Sequence, residues 1–186
     1  MKRLFVALKI NPDTEFLVGF ARLRQSLSHE RIKWVEEENI HITIKFLGET
    51  NEAFIADIKD VLEEIAHSTD DFEFRLNGLG IFGSSYNPRV VWMGIEPYDK
   101  LVFLMQRTRQ AFTPLGFLVD RQHLVPHLTL GRIKVVRDKL FFQKTVDAFW
   151  DLSSQPMQSN SLILYESILR STGPDYLSIE TFPLKK

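Results

Sequence analysis

NIHITIKFLGE (residues 39–49) and VPHLTLGR (residues 125–132) decide how the rest of the chain is read. Both are apolar runs bounded by polar residues and turn formers, the pattern of a strand. Side chains alternate faces along a strand, so His41 and Thr43 project together while Ile42, Ile44 and Phe46 pack behind them. His127 and Thr129 repeat the arrangement 86 residues later, backed by Leu128 and Leu130. With five His and ten Thr in 186 residues, chance predicts about 0.3 such pairs. A buried imidazole needs a partner, and a purely structural role does not explain why the same pair recurs in the same setting.

Reading outward, RLFVALKI is a strand ended by Asn11-Pro12-Asp13. A helix over 13–28 follows, capped by Asp13 or Thr14, with Phe16, Phe20, Leu23 and Leu27 on one face. Thr50 or Asn51 caps a second helix with Phe54, Ile58, Val61, Leu62 and Ile65 inward. DFEFRLNGLGIFG alternates like a half-buried strand, SSYNP is a turn, and RVVWMGI is another strand. A third helix over 98–112 turns Leu101, Leu104, Met105 and Phe112 inward, HLVPHLTLGRI is a strand, and a fourth helix covers 137–149. The chain closes with two strands around Ser171-Thr172-Gly173-Pro174. Several strands are consecutive, which argues for an antiparallel-rich α+β architecture, read as one domain over 1–186.

Composition narrows the function. At 44% hydrophobic and 12% aromatic, 186 residues suffice for a substantial core. A formal charge of −1 provides no global basic field for long nucleic acid, but leaves room for a small anion held by a local cluster. There are no cysteines, which excludes disulfides, thiolate zinc sites and cysteine nucleophiles. MKRLFVALKI has too short an apolar run for a signal peptide, and no segment reaches the roughly 18 apolar residues of a membrane span, so a cytoplasmic location is expected.

HITI at 41–44 and HLTL at 127–130, with their flanks RLFVAL, NIHITIKFLGE, RVVW, PHLTLGR and GPDYLSIETFPL, resemble the 2H phosphoesterase superfamily. Within it, the chain is most similar to the bacterial and archaeal RNA 2′,3′-cyclic phosphodiesterases, once called 2′-5′ RNA ligases. The resemblance implies a bilobal α+β fold, in which two pseudo-symmetric, antiparallel-rich sheets with outer helices flank a central cleft. It implies hydrolysis of a ribose 2′,3′-cyclic phosphate to a 2′-phosphomonoester without a metal or other cofactor. His41 matches the proton donor, His127 the proton acceptor, and Thr43 and Thr129 the phosphate-binding hydroxyls. The expected substrate is RNA with a cyclic phosphate end or a small cyclic nucleotide. No membrane partner is expected, and the chain is expected to act as a monomer.

Opening a cyclic phosphate requires water to attack phosphorus in line with the departing ribose oxygen, so an acid and a base must face each other across it. Imidazole suits both tasks, since its ordinary pKa of about 6.5 makes both forms available near neutrality. Hydroxyl donors stabilise the charge that grows on the non-bridging oxygens without adding charge of their own. Sequence alone leaves open which histidine donates; that polarity comes from the family.

Other residues are weaker candidates for nucleotide contact. Strict alternation points Arg132 away from His127, although Gly131 permits a bulge that turns it round, and the family often places a nucleotide-contacting arginine here. Lys45 shares the His41–Thr43 face by parity. Phe5 and Trp92 can stack on a base or fill the core, and Arg89 can reach a phosphate or face solvent. His123 and His127 have helical metal-ligand spacing, but Pro126 argues against a helix and hence against a metal site. His29 and His67 lie near helix ends, where a solvated or dipole-compensating role is the default. Two other functions compete: a nucleotide- or RNA-end-binding module without turnover, and 2′-5′ RNA ligation. Binding alone needs no acid opposite a base, and no GxxxxGK loop supports ATP-driven ligation.

Overall fold

A computed structural model describes residues 1–84, 86–117, 125–171 and 173–186. Among the described residues, nine strands form two antiparallel sheets. In the first, the order is β3 (His41–Thr50), β1 (Lys2–Lys9), β8 (Ser161–Leu169), β9 (Pro174–Pro183). In the second, it is β2 (Arg31–Trp34), β6 (Leu128–Val135), β5 (Pro88–Glu96), β4 (Phe72–Gly83), β7 (Met157–Ser159). β3 therefore carries both His41 and Thr43, whereas β6 begins at Leu128, one residue after His127 and later than the HLVPHLTLGRI run suggested, and carries Thr129. β3 and β6 contact each other.

The four helices among the described residues follow the apolar periodicity. Helix α1 (Thr14–Ser26) starts at Asp13, whose carboxylate accepts the Phe16 N–H at 2.9 Å and also the Gln155 N–H at 2.8 Å. Phe20 of α1 meets Trp34 of β2 edge-on at 5.8 Å, so α1 covers the second sheet although β1 lies in the first. Helices α2 (Ile55–His67) and α3 (Asp99–Phe112) pack together over β3, β8 and β9, and α4 (Lys139–Ala148) packs on β4. One continuous core joins these layers, from Leu4, Val6 and Leu8 on β1 to Leu128 and Leu130 on β6.

Some expectations shift. Asn51 caps a short 3₁₀ turn over Glu52–Phe54 rather than α2 itself, and Phe54 is left 41% exposed, off the buried face. The edge strands β2 and β7 were not expected. RIKW is short and half charged, and Met157–Ser159 spans only three residues, too few for alternation to register. Ser85 of the SSYNP turn, Thr172 of the last turn and His123 lie outside the described residues.

Each motif strand carries a bulge just after its threonine. On β3, Thr43 pairs with Ala7 and Lys45 with Val6, which leaves Ile44 as the extra residue. On β6, Thr129 pairs with Trp92 and Gly131 with Val91, which leaves Leu130 extra. A bulge reverses the parity of everything beyond it. Gly131 is required there for space: a Cβ would lie 2.8 Å from both Ile32 Cγ2 and the Trp34 ring of β2. Gly131→Ala is therefore expected to destabilise the protein by about 1–3 kcal/mol through overpacking, measured by urea unfolding, and an unchanged midpoint contradicts the close approach of β2.

Candidate active site

The two imidazoles are held in the same way. The Nδ1–H of His41 donates to the Asn39 carbonyl at 2.7 Å, and the Nδ1–H of His127 donates to the Val125 carbonyl at 2.7 Å. A carbonyl can only accept, so the proton of each neutral ring sits on Nδ1 and Nε2 is left as the working nitrogen. Nε2 of His41 lies 3.1 Å from the Thr43 hydroxyl, which donates to the neutral ring and accepts from the protonated one. Both histidines and both threonines are half-buried, neither sealed in the core nor fully in solvent.

Each ring has an aromatic wall on the neighbouring strand. His41 lies 5.1 Å from Phe5 and meets Tyr176 of β9 edge-on at 5.2 Å, while Phe5 stacks on Tyr165 of β8. His127 meets Phe82 of β4 edge-on at 4.7 Å, and Phe82 stacks on Trp92 at 4.8 Å. Trp92 lies flat over β4 because Gly80 has no side chain; a Cβ there would fall 2.3 Å from the indole. Phe5 and Trp92 thus back the histidines. With Phe5 only 3% exposed, no base can lie on it.

The bulges redistribute the remaining candidates. Beyond Leu130, Arg132 pairs with Val90 on the Trp92 face of β5, so its side chain returns to the side of Thr129. Its position is registered electrically: the guanidinium opposes a second positive charge on His41 and on His127, and favours the ionised form of Tyr176. Lys45 moves the other way. Its register partner is the core-facing Val6, and it is 3% exposed, so the parity count that placed it beside His41 fails at Ile44. Arg89 is exposed and alternates with Val91 and Met93, opposite to Trp92, so parity sends it away from the cleft. The β3 bulge brings in a residue the sequence reading missed. Phe46 is turned to the side of Phe5 at the position pseudo-equivalent to Arg132, 46% exposed, with the Arg3 guanidinium 5.0 Å over its ring. The spacing from each motif histidine to Phe46 and to Arg132 is the same, which is the signal that was available.

Both imidazoles have their pKa lowered from 6.5. Burial is the main cause at each, partly offset by the Nδ1 bond to the carbonyl, and reinforced by the positive charge of Arg132 and, at His41, of His127. β3 and β6 contact each other, and the charge of His127 is felt at His41, so the two motifs are neighbours. Among the described residues, no group of three or more His, Asp or Glu side chains is disposed to hold a metal ion, and no helix is long and apolar enough to cross a membrane. A cavity of about 580 Å³ beside Phe74, Arg75, Glu96 and Tyr98 contains neither motif.

The chain matches the LigT-like phosphoesterase family over residues 10–92. It is 35% identical over 167 residues to the RNA 2′,3′-cyclic phosphodiesterase of Aeropyrum pernix, covering 88% of this chain and 94% of that protein. It is 31% identical over 182 residues to the enzyme of that name from Methanothermobacter thermautotrophicus, covering 98% of each. Among solved structures, a Thermus thermophilus protein superposes with a TM-score of 0.80 at 23% identity over 98% of both chains. E. coli LigT complexed with 3′-AMP superposes with a TM-score of 0.73 at 21% identity, over 100% of this chain and 99% of that one. These last two are likenesses of fold.

The lowered pKa values fix a sign for stability. Between pH 6.5 and the lower folded values, the unfolded chain binds protons that the folded chain refuses. The contribution is therefore complete above the unfolded value and lost as pH falls. Thermal unfolding is expected to show a drop in Tm from about pH 7 to about pH 5 that is shallower in His41→Gln/His127→Gln; parallel profiles rule out buried, proton-refusing imidazoles.

Proposed function

This chain belongs to the LigT-like phosphoesterases of the 2H superfamily, and on that premise we propose that it hydrolyses 2′,3′-cyclic phosphate at RNA ends or on nucleosides to a 2′-phosphomonoester. The observation that supports the reading is the matched pair of imidazoles, each tethered through Nδ1 to the carbonyl two residues earlier, which leaves Nε2 as the nitrogen for proton transfer.

In the proposed reaction, His127 Nε2 takes a proton from water as its oxygen forms a bond to phosphorus. His41 Nε2 gives a proton to the ribose 3′ oxygen as the P–O3′ bond breaks, and the phosphate stays on the 2′ oxygen. The imidazolium left at 127 and the neutral ring at 41 exchange protons with solvent before the next turnover. Each transfer contributes about 10²–10⁴-fold. The hydroxyls of Thr43 and Thr129 donate to the non-bridging oxygens, and Arg132 balances their charge. Phe46 presents an exposed ring for the base to stack on. No step uses a metal.

The test is incubation with adenosine 2′,3′-cyclic phosphate and with RNA ending in a cyclic phosphate, resolving 2′- from 3′-phosphate products. His41→Ala and His127→Ala are each expected to lose at least about 10²-fold in kcat with the fold intact, and chelator is expected to change nothing. Full activity in either variant, or loss with chelator, overturns the mechanism.

The pH profile gives a second test. Because both rings ionise below 6.5 in the free protein, kcat/KM is expected to be bell-shaped with its optimum below about pH 6.5. Bound anionic phosphate favours the imidazolium, so the alkaline limb of kcat should lie at higher pH. A kcat/KM optimum well above neutrality contradicts the donor's lowered pKa.

A further inference from the structure

The cleft side of the second sheet carries a cation that the reaction does not use. Lys33 of β2 pairs directly with Arg132 of β6, so the two side chains rise side by side on the same face. Both are exposed, and among the described residues neither forms an ion pair. Like charges directly opposite in a ladder are destabilising, so this pair is a cost to the empty protein that an anion would relieve.

The surroundings set where that anion lies. β2 is the edge strand, one strand spacing of about 4.8 Å outside β6. From the other lobe, the end of the β8–β9 hairpin meets the lysine: a methyl group on Gly173 would lie 3.1 Å from Lys33 Nζ. Tyr176, on the same hairpin, feels the charge of Arg132. Lys33 therefore sits where the two lobes approach each other, next to the guanidinium assigned to the reacting phosphate but farther out.

We infer that Lys33 binds the 5′-phosphate of the terminal nucleoside, the phosphodiester that joins it to the preceding nucleotide; the inference rests on the hydrolytic reading above. A cyclic-phosphate end offers one other anion close to the reacting group, and it is this one. A nucleoside 2′,3′-cyclic phosphate lacks it. The residue would thus make the cleft prefer a polynucleotide end over a free mononucleotide.

The experiment compares kcat/KM for adenosine 2′,3′-cyclic phosphate, its 5′-phosphorylated form, and a dinucleotide with a cyclic end. Lys33→Ala is expected to lose about three- to tenfold on the two substrates with a 5′-phosphate. The nucleoside substrate should be unaffected, and Lys33→Arg should restore the preference. The salt dependence for the dinucleotide should fall by about one ion. Equal losses on all three substrates, or no loss on any, overturn the subsite. If wild type hydrolyses none of them, the reaction assignment fails, and the subsite is then decided by binding. A dinucleotide 3′-phosphate should bind wild type more tightly than adenosine 3′-phosphate does, with the advantage lost in Lys33→Ala; equal affinities overturn it.

Discussion

The Nδ1–H of a histidine just before or at the start of a strand can reach back to the carbonyl two residues earlier, and here it does so twice at 2.7 Å, from His41 to Asn39 and from His127 to Val125. Each bond selects a tautomer and fixes a ring plane, and together they turn two side chains, 86 positions apart in the sequence, into matched halves of one site. The aromatic walls, the bulges and the cation at Arg132 are all placed relative to these rings. A histidine free to rotate would present either nitrogen, and neither acid nor base would have a fixed direction.

The bulges are the second determinant. An antiparallel ladder with strict alternation would bury the residue three positions beyond each threonine behind the sheet. One inserted residue on each motif strand reverses that, so Arg132 on one side and Phe46 on the other face the cleft. The two lobes therefore share a backbone device but use it for different chemistry, a charge in one and an aromatic face in the other. A chain of net charge −1 can thereby hold a locally positive cleft, with Arg3, Arg132 and Lys33 around it.

Much of this was legible in the sequence. The histidine–threonine strands, the helices and the antiparallel layering follow from period-2 and period-3.6 patterns, and Asp13 is one of the two cap residues the sequence offers for α1. What was not legible is register. Alternation counted from His41 placed Lys45 in the site and left Phe46 outside, and the reverse holds because parity is not conserved across a bulge. Gly131 hinted at the break on β6, whereas Ile44 on β3 carries no such mark. In sequence, Phe5 and Trp92 stand open between stacking on a base and filling the core. Packing against Tyr165 and Phe82 places them behind the histidines.

The order of strands has a consequence for how the protein is made. β1, made before the other strands of its sheet, pairs on one side with β3 but on the other with β8, Leu4 lying opposite Glu166. Tyr165 and Tyr176, which enclose Phe5 and His41, arrive last. Such long-range pairing is slow to form and leaves apolar edges uncovered during synthesis. The nascent chain must therefore wait, with its first sheet unfinished, until β8 and β9 have been translated.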